Sequence, residues 1–248
     1  MSRPAPKRIA MWIVEDCSNL DYASLQTLIV NVLSTRLPTL SDEQRAEFSE
    51  EVELQVLNEL YRRLGMDKDD GVVSNFEVSS EESTSYIRFI ERPELTLLDT
   101  LRNATPKQFE QFCKKVLDTL GANAIVKGGP GDGGVDFFAL DLPLNPYDIP
   151  SPPGGKALVV GQAKKYAIDN LVTEYELRSF VGASAKESFN IKRDHPSEIG
   201  IAHPTVLAFW TTSDFHTSAR QFARDLGIWY LNGLALVQLA NRLGIEDL

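Results

Sequence analysis

Up to residue 70 the apolar positions of this chain recur at helical spacing. In "SLQTLIVNVLSTRL", Leu25, Leu28, Ile29, Val32 and Leu33 fall on one side of a helix. "TLSDEQRAEFSEEVELQVLNELYRRLG" predicts a second, longer helix. Ser41 is its expected cap and Gly65 its expected end, with Arg62 and Arg63 in the last turn, where the helix dipole favours cations. Ahead of these, residues 1–8 read as a disordered tip, and "RIAMWIVED" reads as a short strand or a buried start. After the acid-rich "MDKDDG" comes a turn, and "SSEESTSYIRFIERPEL" suggests a short helix stopped near Pro93. A domain boundary is expected near 95–105.

Beyond that boundary the pattern alternates between helical and extended. "ATPKQFEQFCKKVLDTLG" carries the strongest helix signal. Thr105 and Gln108 form a capping box, Pro106 takes the first helical position, and Gly121 ends the helix. Phe109, Phe112, Cys113, Val116, Leu117 and Leu120 share its apolar face. "ANAIVKGG", "GVDFFAL" and "KALVVGQAKKY" read as strands, "VTEYELRSFVGASAK" as a helix and "TVLAFWTTSD" as a strand. "HTSARQFARDLG" then reads as a helix, "IWYLN" as a strand and "GLALVQLANRLG" as a final helix. "DLPLNPYDIPSPPGG" and "KRDHPSEIGIAHP" are loops. The order α-β-β-β-α-β-α-β-α predicts a mixed sheet covered by helices. Three strands follow the first helix before the next one, which argues against a doubly wound nucleotide-binding fold.

Composition adds a constraint. The 248 residues suffice for one large domain or two small ones, and 43% of them are hydrophobic. The net charge of −10 argues at face value against a nucleic-acid binder. Its distribution weakens that argument. Residues 1–100 hold 10 basic and 19 acidic residues, a net of −9, whereas residues 101–248 hold 15 and 16, a net of −1. The second part is free to present a locally basic face. Two cysteines, Cys17 and Cys113, are too few for a disulfide scaffold and fit a reducing compartment. The sequence shows no signal peptide and no run long enough to span a membrane, so a cytoplasmic protein is expected.

Two stretches carry candidate chemistry. "GGPGDGG" (128–134) lacks the lysine-serine or lysine-threonine ending of a phosphate-binding loop and the spacing of a dinucleotide fingerprint. It leads instead into a strand bearing Asp136. Its glycines permit sharp turning and close approach by a substrate backbone, or simply a hairpin loop in which Asp132 caps the turn. In "LVVGQAKKY", Gln162 and Lys164 are two apart and share a strand face, with Ala163 opposite. A polar face on a central strand is costly unless used, although an edge strand would solvate it. Asp136, the Gln162 oxygen and the Ala163 carbonyl together suit a hard divalent ion. Lys164 would hold a water or steady a developing phosphate charge. Such a set suits metal-assisted phosphodiester hydrolysis.

Read in order, "FEQFCKKVLDTLG", "GGPGDGGVDFF", "VVGQAKKY", "ELRSFVGA", "FWTTSDFHTSARQFARDLGI" and "LNGLALVQLA" resemble the Mrr-type catalytic domain of the PD-(D/E)xK, restriction-endonuclease-like nuclease superfamily. The resemblance spans residues 106–244. It implies an α/β fold with a central mixed sheet flanked by helices, here over residues 101–248. It also implies a metal-dependent DNA endonuclease using Mg²⁺, with Mn²⁺ able to substitute. By that resemblance the helical glutamate falls on Glu110, the metal-binding aspartate on Asp136, and the Gln-x-Lys pair on Gln162 and Lys164. Metal ligation is expected of Asp136, Gln162, the Ala163 carbonyl and Glu110, and substrate contact of Asp132, Gly133, Thr212, Ser213 and Lys165. Glu110 has a competing reading, a surface pair with Lys114 four residues on. Ser213 or Asp214 equally suits an ordinary helix cap. Arg220 and Arg224 suit a solvated face or a phosphate contact. Trp210 and Trp229 read as core, and the histidines and cysteines show no zinc spacing.

Residues 1–100, mainly helical, lie outside the resemblance and read as a scaffold, a dimerisation unit or a contact for a partner or DNA. The expected partners are DNA, a second copy of the chain and an activating protein, in a role in prokaryotic defence. Two alternatives remain: a catalytically silent nucleic-acid-binding module and an interaction subunit, both on the nuclease fold. Nothing in these residues separates DNA from RNA.

Overall fold

The computed structural model describes residues 3–81, 84–92, 94–127, 134–144 and 155–248. The chain divides into two compact units, Met1–Pro93 and Glu94–Leu248.

In the first unit α1 (Pro6–Asp16), β1 (Ala23–Ser24), α2 (Leu25–Arg36) and α3 (Asp42–Asp69) precede a hairpin of β2 (Phe76–Glu81) and β3 (Thr84–Phe89). The three strands form an antiparallel sheet in the order β1-β3-β2. The core gathers Ile9 and Ile13 of α1, Leu25, Ile29 and Leu33 of α2, Val56 and Leu60 of α3, and Phe76 and Ile87 of the hairpin. Ser24 caps α2, and Ser41 with Gln44 forms a capping box on α3.

Three expectations fail in this unit. "RIAMWIVED" is helical: Pro6 opens α1, and Ile9, Trp12 and Ile13 bury one of its faces. Gly65 does not end α3, which runs on to Asp69 and leaves Arg62 and Arg63 short of its last turn. The segment 76–89 is a hairpin, not a helix. In β3 the buried side chains alternate strictly, Ser85, Ile87 and Phe89, a period of two that a serine- and glutamate-rich sequence hides.

The second unit follows the expected order from residue 106 onward. It contains α4 (Glu94–Asn103), α5 (Pro106–Thr119), β4 (Asn123–Val126), β5 (Phe137–Pro143), β6 (Lys156–Lys164) and α6 (Glu174–Asp194). It continues with β7 (Thr205–Thr211), α7 (Thr217–Leu226), β8 (Trp229–Leu231) and α8 (Gly233–Arg242). The five-stranded sheet runs β4-β5-β6-β7-β8, antiparallel up to β6 and parallel beyond it. This is the mixed sheet flanked by helices that the sequence implied. α5 packs on β4, β5 and β6, α8 packs on β7 and β8, and α6 packs on β6 and β7. Thr105 and Gln108 form the expected capping box, and Phe109, Phe112, Cys113, Val116 and Leu117 are buried. One core cluster gathers Phe138, Leu158, Val160 and Phe209 of the sheet with Val135 and with Phe180 of α6. Phe137, Trp210 and Trp229 stack in sequence, with ring centroids 5.4 and 5.0 Å apart. Among the described residues no helix is long and apolar enough to cross a membrane.

Candidate active site

The candidate residues collect where β5 begins and β6 ends. Phe137 is the first residue of β5 and pairs with Gly161. Gly161 is required there, because a Cβ would lie 2.1 Å from the Phe137 ring. Asp136 continues the ladder by one step: its N–H donates to the Gly161 carbonyl at 2.9 Å, and its own carbonyl accepts from Lys127 N at 2.8 Å. The next bond uses the side chain. Asp136 Oδ2 accepts from the Ala163 N–H at 2.8 Å, in place of the backbone carbonyl that a longer strand would supply. The carboxylate is thereby fixed against the end of β6.

Alternation along β6 places the other groups. Backbone groups of one strand residue point to the same side and those of its neighbours to the other. Gly161 and Ala163 face β5, so the Ala163 carbonyl is directed to the side that holds the Asp136 carboxylate. Lys164 faces β7, and its carbonyl accepts from Thr211 Oγ1 at 2.8 Å and Thr212 N at 3.2 Å. The side chains of Gln162 and Lys164 share the face of Leu158 and Val160. Gln162 is buried. Its Nε2 lies near Gly134, the first described residue after the glycine turn, where an added Cβ would be 3.7 Å away. The adjoining Lys127 forms an ion pair with Glu187 of α6, which anchors the strand that enters that turn.

Glu110 stands half-buried on α5, one turn before Cys113. Burial pushes the Cys113 thiol well above its ordinary range, and the charges of Asp136 and then Glu110 add to the shift. Both carboxylates therefore act on one buried thiol. Lys114 forms its ion pair with Asp118 at 2.5 Å.

The remaining expected residues divide. Thr212 and Ser213 are buried. Thr212 Oγ1 donates to the Tyr166 carbonyl at 2.8 Å and accepts from Tyr166 N at 2.9 Å, and Ser213 Oγ donates to the Asn170 carbonyl at 2.8 Å. These hydroxyls tie the loop after β6 to the loop after β7. They are engaged within the chain. The α7 cap is His216, not Ser213 or Asp214. Arg220 does not lie on a solvated face. It is buried in an ion pair with Asp214. Lys165 is half-buried beside Lys164. Asp132 and Gly133 lie outside the described residues, as do residues 145–154 of the proline-rich loop.

Among the described residues no three His, Cys, Asp or Glu side chains converge on a metal position. The donors at hand are two carboxylates, Asp136 and Glu110, with neutral oxygens from Gln162 and the Ala163 carbonyl. All are hard oxygen donors, which fits Mg²⁺ or Mn²⁺, ions that retain several waters, and does not fit zinc.

The Mrr catalytic-domain model, described as a restriction endonuclease, matches residues 101–240. That is more than half of the chain. The chain belongs to the Mrr-type restriction endonuclease family.

No curated protein sequence matches the chain. Solved structures with which it shares similarity include the MspJI restriction endonuclease in complex with a 27-mer oligonucleotide, at 19% identity and a TM-score of 0.42 over 62% of this chain and 32% of that one. They also include the DNA modification-dependent restriction endonuclease AspBHI, at 14% and 0.41 over 70% of this chain and 58% of that one. Restriction endonuclease FokI bound to DNA aligns at 10% and 0.39 over 97% of this chain and 45% of that one. The chain thus spans less than two thirds of each of these proteins.

In this Mrr-type domain one residue coupled to Lys164 by charge escapes sequence reasoning. Glu176, in the first turn of α6, is held by three donors: Thr173 N at 2.8 Å, Thr173 Oγ1 at 2.6 Å and the Tyr166 hydroxyl at 2.5 Å. Burial works to raise its pKa. The hydrogen bonds from Thr173 and Tyr166 and the positive charge of Lys164 outweigh it and hold the carboxyl below its usual range. Conversely, burial and Glu176 push the Tyr166 phenol up to about 12. Glu176 is thus an anion that the charge of Lys164 favours. In sequence it looks like the fourth position of a helix capping box, which it also is.

Proposed function

We propose that this chain is a divalent-metal-dependent DNA endonuclease. The observation that carries the reading is the lock between Asp136 Oδ2 and Ala163 N at 2.8 Å, which sets a carboxylate beside a carbonyl-bearing strand end. Glu110 and Asp136 both act on the Cys113 thiol, and Gln162 and Lys164 share one face of that strand. Asp136, Glu110, Gln162 and the Ala163 carbonyl would hold Mg²⁺, with Mn²⁺ as a substitute. A bound ion would polarise the scissile phosphate and offset its developing charge. Lys164 orients an attacking water or pairs with a phosphate oxygen, and Glu176 keeps its ammonium directed into the site. Lys165, Asp132 and Gly133 are the contacts proposed for the DNA backbone. Thr212 and Ser213 serve by bracing the loop that follows Lys164. In this reading residues 101–248 form the nuclease domain.

One such site cuts one strand, so cleavage of a duplex calls for two copies. Residues 1–100 are the region proposed for dimer or partner contact. Their net charge of −9 disfavours DNA as their ligand and suits an activating protein. Membership in a restriction endonuclease family supports a role in prokaryotic defence. The test is supercoiled plasmid incubated with purified protein and Mg²⁺ or Mn²⁺, beside EDTA and Lys164→Ala controls. Cleavage abolished by both controls is the expected result. DNA binding without cleavage in either metal, with host extract present, would overturn the reading in favour of a silent binding module.

A further inference from the structure

We infer that Arg102, in the last turn of α4, is a DNA-contacting residue that binds a backbone phosphate beside the cleavage site. The sheet end that carries Lys164 is also where Arg102 makes its contact. β6 and β7 run parallel and end together, with Lys164 opposite Thr211. The next residue, Thr212, donates its N–H to the Lys164 carbonyl at 3.2 Å. The Thr212 carbonyl in turn accepts from Arg102 Nε at 3.4 Å. A single residue therefore links the guanidinium to the backbone of Lys164.

Close packing fixes the seat of α4. Leu97, Leu98 and Leu101 are its buried leucines. Gly233 opens α8, and a Cβ there would lie 2.6 Å from the Thr212 carbonyl oxygen and 2.7 Å from Leu98 Cδ1. Glycine is what lets α4 and the Thr212 backbone come this near to each other. Arg102 follows the buried Leu101, so its backbone is held on a rigid element, as a binding group requires.

The contacts of the guanidinium can yield to a phosphate. The bond to Thr212 is long for an N–H···O pair. Asp99 lies 3.6 Å from Nη1, and its side chain is 72% exposed. Arg36, Arg62 and Arg88 meet their carboxylates at 2.6–2.7 Å. A phosphate takes a guanidinium through two parallel bonds, a fork that a distant, solvated carboxylate does not match. A site built on the carboxylates of Asp136 and Glu110 also repels a polyanion, and a nearby arginine offsets that repulsion. The helix dipole or a brace on Thr212 would each account for a cation here without DNA.

The contact presupposes the DNA endonuclease reading. The experiment is fluorescence anisotropy of the full chain with a labelled duplex in Ca²⁺, used to hold off cleavage, over a series of salt concentrations. For Arg102→Gln the slope of log affinity against log salt is expected to become shallower by about 0.9, the value for one phosphate contact. Arg102→Lys should keep the wild-type slope. Arg193→Gln should keep it too, a control in the last turn of α6 that is 61% exposed and paired with Asp194. An unchanged slope in Arg102→Gln, whatever its melting temperature, would overturn the inference and leave Arg102 as a brace. If Arg102→Gln unfolds, an arginine-specific dicarbonyl on the wild type answers the same question. Bound duplex should slow labelling of Arg102 and not of Arg193, and equal slowing or none would overturn the contact. A chain whose binding depends on Arg102 but which never cuts plasmid retires the nuclease reading and leaves the contact. A chain that cuts, with Arg102→Gln binding as the wild type does, has the reverse meaning. A chain that binds no duplex overturns both.

Discussion

Asp136 Oδ2 and the Ala163 N–H are 2.8 Å apart, a hydrogen bond between a side chain and a strand that ends the β5–β6 ladder. The bond needs an acceptor, not a charge, whereas metal binding needs the charge. Asp136→Asn separates the two, because the amide oxygen still accepts from Ala163. Its melting temperature should match the wild type closely, while plasmid cleavage should fall by about 10²–10³-fold, the scale for losing one charge-stabilising group. A variant that unfolds early would show that Asp136 acts through structure instead.

Glu176 tests whether Lys164 needs a positioned counter-charge. Glutamine at 176 can still accept from Thr173 N and keep the α6 cap, so the fold should persist. It cannot hold an ammonium by charge. Glu176→Gln should lower kcat by about tenfold, or roughly 1.4 kcal/mol of barrier. KM for DNA should stay level or fall, since one negative charge leaves the neighbourhood of a polyanion. Tyr166→Phe, which removes only one of the donors to Glu176, should reproduce a smaller part of the kcat loss. A rise in KM with kcat unchanged would place Glu176 outside the chemistry.

The capping boxes at Ser41 and Thr105 and the apolar faces of α2 and α5 could be read from sequence because each is set by residues within one or two turns. The shared strand face of Gln162 and Lys164 could be read because residues two apart on a strand point the same way. What could not be read depends on distant partners. The β2–β3 hairpin alternates only once its partners bury Ile87 and Phe89. Thr212 and Ser213 look available until Tyr166 and Asn170 are seen to consume their hydroxyls. Glu176 looks like a helix cap until the hydrogen bond from Tyr166 and the charge of Lys164 are seen to act on it.

Arg220 illustrates the same limit and gives a stability prediction. It is 2% exposed and pairs with Asp214, which also accepts from Asn232 Nδ2 at 3.2 Å and from Phe215 N at 2.7 Å. Arg220→Met leaves a buried carboxylate without its cation and should cost about 3–5 kcal/mol. Adding Asp214→Asn removes the stranded charge and should recover part of the loss. Urea denaturation of the three variants measures both steps, and a single variant within error of the wild type would contradict the buried pair.

Alkaline stability should depend on Cys17 in the first unit. Burial, aided by the charge of Asp16, raises its thiol to about 11 from an ordinary value of 9.0. In the unfolded chain the thiol ionises near the ordinary value, so between the two values the unfolded state carries fewer protons than the folded state. Stability therefore falls as pH rises through that window, with the contribution of Cys17 fully present below pH 9. The Tyr166 phenol, raised to about 12, adds a loss of the same sign at higher pH in the second unit. Urea midpoints followed by α-helical signal from pH 8 to about 11 should decline, and Cys17→Ser should flatten the early part of that decline. A thiol reagent at pH 8 should react slowly with both cysteines of the native chain and rapidly once it is unfolded. Fast native labelling at Cys17 would mean that its thiol is less protected than its surroundings imply.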